Sequence, residues 1–241
     1  MIVLVSSCAA AGSQASDYNF RCDDTPLLQL SLLDVSASGR DRDILGERLN
    51  AIQVDAERVS DCDGELVVVA WGGSASTSEI LFGGQIPVSG ASEIGRDRKI
   101  PEAVEVVMEE IHDRLNEILP LTEASGHDLM AAFSIVSDFV RSRASQASTV
   151  SVHIYADGVA TVGSAQINIA GINSARVEEI VAEQNLPNLT GVSIELFGVG
   201  RVGGGAEPPQ QVVDTTLGYA QSLCEATGAD CSTFSSTFST D

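Results

Sequence analysis

Short apolar runs recur along this chain, each stopped by an acidic residue or a glycine and each followed by a segment with helical spacing. Leu27-Leu28-Gln29-Leu30-Ser31-Leu32-Leu33 stops at Asp34, Glu65–Trp71 at Gly72-Gly73, and Thr149–Tyr155 just ahead of Asp157-Gly158. Gly191–Val199 reads the same way, and Glu79–Val88 reads as a strand bent at Gly83-Gly84. Between them lie stretches whose apolar residues return every three or four positions. Asp41–Val59 carries Ile44, Leu45, Leu49, Ile52, Val54 and Val59; Pro101–Leu119 carries Val104, Val107, Met108, Ile111, Leu115 and Ile118, with Pro120 as its stop. Further helices are expected over Asp128–Arg143, from Ser174 as N-cap through Gln184, and over Pro208–Ala226; Ala160–Ala170 reads as a short excursion. Strands that are apolar throughout, alternating with amphipathic helices, predict an α/β fold: a mostly parallel sheet covered on both faces.

In such a sheet ligands bind at the carboxyl ends of the strands. The first strand is followed by Asp34-Val35-Ser36-Ala37-Ser38-Gly39, and the fourth by Asp157-Gly158. Asp-x-Ser-x-Ser after strand one, with Asp-Gly after strand four, resembles the metal-ion-dependent adhesion site of von Willebrand factor A (vWA) domains, secreted bacterial vWA lipoproteins among them. The likeness in element order runs from about Leu27 to Gly205, and Gly126–Phe133 is similar to the family's Gly-Thr-Asp-Leu segment that opens a helix. The resemblance implies a doubly wound, Rossmann-like sheet, mostly parallel with one antiparallel edge strand. It also implies a divalent cation (Mg²⁺, or else Mn²⁺ or Ca²⁺), with Ser36 and Ser38 as direct ligands and Asp34 and Asp157 accepting from metal-bound water. The residue types suit that role. A hard ion wants oxygens, and hydroxyls on alternate positions of one turn can face a common point. Neutral ligands leave the ion most of its charge, so an acidic residue of a protein partner could complete the shell. No nucleophile or organic cofactor is implied.

One position departs from the pattern. The family's third hydroxyl ligand, a threonine, aligns with His127, and imidazole suits Zn, Mn or Ni better than Mg. Three outcomes stay open: His127 takes a softer metal, Ser125 or Asp128 substitutes, or the third contact is lost. The other histidines read as ordinary residues, His153 packed within a strand and His112 solvated on a charged helix. Gly198-Val199-Gly200-Arg201-Val202-Gly203 spells a dinucleotide fingerprint, but no helix opens directly after it to receive a pyrophosphate. A phosphotransfer hydrolase with Asp34 as nucleophile would want a second carboxylate two positions on, where Ser36 stands. A vWA scaffold with an idle metal site, binding proteins through other loops, is the remaining alternative.

The formal net charge of −21 repels phosphate backbones, which argues against nucleic acid as a partner. Five cysteines point outward from the cytoplasm. Val5-Ser6-Ser7-Cys8 is similar to the lipobox of bacterial lipoproteins, with Cys8 as the lipidated residue and a membrane contact through that anchor alone. Only Met1–Leu4 precede it, without Lys or Arg, so the export signal is incomplete as it stands, and a start upstream would complete it. Removing Cys8 leaves an even set. Cys224 and Cys231 flank a short turn and are expected to pair, which leaves Cys22 with Cys62; four cysteines allow three pairings. The expected organisation is a tether over 1–24, a vWA domain over 25–205, and a C-terminal helix and disulfide-bearing tail over 206–241.

Overall fold

The computed structural model describes Cys22 and residues 26–90, 92–120, 126–143, 149–167, 173–201 and 208–236. Six strands form one sheet: β1 (Leu27–Asp34), β2 (Glu65–Trp71), β3 (Glu79–Gln85), β4 (Thr149–Tyr155), β5 (Ser193–Phe197) and β6 (Asp230–Phe234). Their order is β3-β2-β1-β4-β5-β6, with β3 antiparallel to β2 and every other pairing parallel. The chain therefore winds outward from β1 in one direction, returns, and winds outward from β4 in the other. The expected mostly parallel, doubly wound sheet with one antiparallel edge strand is what forms.

The helices are α1 (Arg42–Asp61), α2 (Glu93–Asp97), α3 (Ile100–Ile118), α4 (Leu129–Arg143), α5 (Ser174–Ala182) and α6 (Gln210–Glu225). The two cores follow from strand alternation. Leu33, Leu66, Val68 and Ala70 point toward α1 and α3, whose inner faces supply Leu49, Ile52, Val59, Val104, Ile111 and Leu115. Leu30, Leu32, Val67, Val69, Val152 and Ile154 point the other way, toward α4, α5 and α6. All eight residues of β1 are buried, as a central strand covered on both faces requires.

Several expectations are refined. The strand expected over 79–88 ends at Gln85, and its pairing with β2 shifts register between Val68 and Val69. The N-cap of α5 is Asn173, whose carboxamide oxygen accepts from Arg176 N–H; the helix begins at Ser174 rather than being capped by it. The C-terminal tail contributes β6 to the sheet, beyond what its polar sequence suggested. Residues 160–167 form turns without regular structure, and the rest of the expected excursion lies outside the described residues.

Both disulfides form, Cys22–Cys62 and Cys224–Cys231; the second fastens α6 to β6. Such bonds fit an oxidising, extracytoplasmic compartment. Cys8 and the tether lie outside the described residues. Among those described, no helix is long and apolar enough to cross a membrane.

Candidate metal centre

Because β1 and β4 are parallel neighbours at the point where the winding reverses, their carboxyl ends open on one crevice. Asp34 closes β1, and Asp157 follows β4 by two residues. Each carboxylate holds its own loop in the same manner. Asp34 Oδ1 accepts from Ser36 N–H at 2.8 Å, and Asp157 Oδ1 accepts from Val159 N–H at 2.9 Å. Asp is suited to this, since its short side chain reaches the backbone two residues on.

The turn after β1 is pinned along its length. Val35 N–H donates to Trp71 O, Arg40 N–H to Ser36 O, and Asp41 N–H to Ser38 O before Asp41 caps α1. Arg40 Nε adds a 2.7 Å bond to Val35 O. The turn returns so closely that a Cβ on Gly39 would fall 2.3 Å from Asp34 O, so no other residue fits there. The consequence is convergence. Ser36 Oγ and Ser38 Oγ stand 3.2 Å apart, and Ser38 Oγ donates to Asp157 Oδ2 at 2.6 Å.

His127 enters from the segment ahead of α4. Its N–H donates to Thr161 Oγ1, and its carbonyl accepts from Thr161 and Val162 N–H, so its backbone is fixed by the loop after β4. Gly126 allows that approach, since a Cβ there would lie 2.4 Å from Thr161 Oγ1. The ring packs against Trp71 with centroids 5.6 Å apart. Asp34, His127 and Asp157 each offer a ligand atom, and those atoms lie within 4.8 Å of one another. All three side chains are buried, as is Ser36, while Ser38 is half-buried and Ala37 exposed. Ser38 and Ala37 therefore mark where the site meets solvent.

Arg48, on the buried face of α1, was not foreseen. Its Nη1 donates to Asp34 O at 3.0 Å and lies 3.3 Å from Asp34 Oδ2. Burial pushes the Asp34 carboxyl up, but His127, Arg48 and the Ser36 N–H together hold it well below the ordinary carboxylate range. Burial likewise opposes charge on His127, and the Asp34 and Asp157 carboxylates overcome it, raising the imidazole above its usual value. The signal for Arg48 was present in the sequence as a lone cation among Ile44, Leu45, Leu49 and Ile52.

Asp128 does not join this group. Its Oδ1 accepts from Met130 N–H at 3.0 Å, where it caps α4, and burial raises its carboxyl. Ser125 lies outside the described residues. The donors that do converge fit a divalent cation. They comprise two hydroxyls, two carboxylates and an imidazole whose Nδ1 and Nε2 are buried with no hydrogen-bond partner among the described residues. Of the other histidines, His153 is buried in the sheet with Nδ1 2.7 Å from Asp55 Oδ1 on α1, and His112 is exposed on α3, its Nδ1 2.6 Å from Met108 O.

No family model matches the chain, and no curated protein matches it. Among solved structures, an aerotolerance-related membrane protein from Bacteroides fragilis aligns over 88% of this chain and 90% of its own, at 12% identity and a TM-score of 0.43. The conserved hypothetical protein BatB from Bacteroides thetaiotaomicron aligns over 88% and 91%, at 13% and 0.44. Proximal thread matrix protein 1 from the mussel byssus aligns over 90% of this chain and 45% of its own, at 14% and 0.40. Similarity of that degree carries no argument about the site, which stands on the sheet order and the side-chain geometry.

Proposed function

We propose that this chain, a vWA-type domain by its sheet order and the placement of Asp34 and Asp157, binds a protein partner through a divalent cation. The carrying observation is the meeting of Ser36 Oγ, Ser38 Oγ and Asp157 Oδ2 at separations of 3.2 and 2.6 Å, from residues 119 apart in sequence. Ser36 and Ser38 would hold the ion, with His127 beside them. Asp34 would orient the turn through Ser36 N–H, and Asp157 would orient Ser38. When bound, the cation would supply a positive charge with a coordination position for a partner's carboxylate. The half-buried Ser38 and exposed Ala37 support approach from that side. Asp34 suits an orienting role better than a nucleophilic one, since it is fully buried with Oδ1 on Ser36 N–H and Oδ2 facing Arg48.

A second reading has a specific observation in its favour. Arg48 already offsets part of the charge of Asp34, so the site could stay metal-free while the domain binds proteins through its loops. Thermal melts separate the two. A ligand that binds only the native state raises its stability, so excess Mg²⁺, Mn²⁺ or Ca²⁺ should raise Tm over an EDTA-treated sample, and Asp34→Asn should remove that rise. Identical melts with and without every cation would favour the idle scaffold. Lipid anchoring through Cys8 belongs to the same proposal, with the domain tethered outside the membrane.

A further inference from the structure

Of the departures from an all-oxygen site, His127 is the one whose surroundings call for a ligand. Its backbone is locked by Thr161 and Val162, and Trp71 lies against its ring, so the imidazole cannot leave the crevice without breaking those contacts. It is 1% exposed. Nδ1 lies 3.4 Å from Asp34 Oδ1 without an aligned hydrogen bond, and Nε2 has no partner among the described residues. A buried polar atom left unmet costs about 1–3 kcal/mol. Asp128, the substitute ligand with described geometry, is spent on the cap of α4.

The local charge points the same way. Two carboxylates, Asp34 and Asp157, face one guanidinium, Arg48, so the pocket offers one net negative charge before His127 is counted. Hard ions such as Ca²⁺ draw affinity from the number of charged oxygens around them. A site poor in net charge but supplied with an imidazole, whose nitrogen gives up its proton to a bound ion, favours ions that bond well to imidazole.

We infer that His127 is a direct metal ligand and that it makes this site prefer a first-row transition ion (Mn²⁺, Co²⁺, Ni²⁺ or Zn²⁺) over Mg²⁺ and Ca²⁺. This rests on the proposal that the crevice holds a cation at all. Asp34 and Asp157 then position the hydroxyls and ring, and Arg48 limits the charge available to a hard ion.

Calorimetric titration of the wild-type protein, His127→Thr and Asp34→Asn with Zn²⁺, Co²⁺, Mn²⁺ and Mg²⁺ tests the preference. Losing a metal-site group typically costs about 10–100-fold in affinity. His127→Thr should therefore lower the Zn²⁺-to-Mg²⁺ affinity ratio by at least about tenfold. Pulsed EPR of wild-type protein carrying one equivalent of Mn²⁺ is independent of any variant's folding, and should show coupling to imidazole nitrogen. Tight metal binding without nitrogen coupling, or an unchanged ratio in His127→Thr, overturns the assignment of His127 while leaving the cation site standing. Wild-type protein that binds none of the four ions, as Asp34→Asn is expected to do, overturns both.

Discussion

Two buried histidines sit among carboxylates in this molecule, and their surroundings treat them differently. His153, in the middle of β4, is enclosed by groups from every neighbouring element. Nδ1 lies 2.7 Å from Asp55 Oδ1 on α1, and Nε2 makes an ion-pair contact of 3.1 Å with Glu195 Oε2 on β5. Asp55 Oδ2 in turn accepts from Ser31 on β1 at 2.5 Å and from Tyr155 at 2.8 Å. The row follows from strand register, since Ser31, His153 and Glu195 stand opposite one another. His127, at the strand ends, has one long contact and a free nitrogen among the described residues. The difference lies in the bonds made: His153 Nδ1 is tied into a network with Asp55, Tyr155 and Ser31 and only its Nε2 lacks an aligned bond, whereas neither ring nitrogen of His127 has one among the described residues, which leaves capacity for a ligand.

The largest effect expected from this contrast is on stability alone. Asp55→Ala takes the acceptor from His153, Tyr155 and Ser31 at once and leaves a buried cation without its near partner. Breaking a buried pair in this way costs about 3–5 kcal/mol. Urea denaturation should show that loss equally with and without divalent cations. A loss that metal restores would mean the two histidine sites are not independent.

The pH dependence is the next largest. Burial opposes the charged form of His153, but Asp55 and Glu195 raise its pKa from 6.5 to about 9. A group whose folded-state pKa is raised contributes fully below its unfolded value and loses that contribution as pH rises through the folded one. Stability should thus fall by on the order of 3 kcal/mol between pH 6.5 and somewhat above pH 9. Chemical denaturation across that range should show the slope in wild-type protein and a much flatter one in His153→Gln. Glu195 runs the opposite way: the His153 contact lowers its carboxyl, so its share is lost on the acid side.

The smallest effect is the most diagnostic. Replacing His127 removes an imperfectly satisfied group, so His127→Thr in EDTA should change stability by no more than about 1 kcal/mol. The same substitution at His153 should cost several times more. Equal costs at the two positions would erase the distinction between a structural and a ligand-binding histidine.

How much of this was legible follows from what pattern reading can detect. β1, β2, β4 and β5 are buried strands whose apolar runs announce themselves, and Asp34, Ser36, Ser38 and Asp157 lie within two local motifs at the ends of two of them. β6 is an edge strand with the polar sequence Asp230-Cys231-Ser232-Thr233-Phe234, largely open to solvent, so nothing in its composition separates it from a tail. Arg48 and Asp55 were missed for another reason. They stand seven residues apart on the buried face of α1, Arg48 holding Asp34 and Asp55 holding His153, and apolar spacing treats a charge as solvated. Thr161, which fixes His127 from 34 residues away, is visible only when the chain is folded. Pairings between distant polar groups leave no period in a sequence.

The most direct measurement is anomalous diffraction from crystals of the wild-type protein soaked in Mn²⁺. The account predicts a peak within bonding distance of Ser36 Oγ, Ser38 Oγ and a His127 ring nitrogen, with Asp34 and Asp157 just behind them. Featureless density at the ends of β1 and β4, with Ser38 still bonded to Asp157 and His127 still facing Asp34, would contradict it.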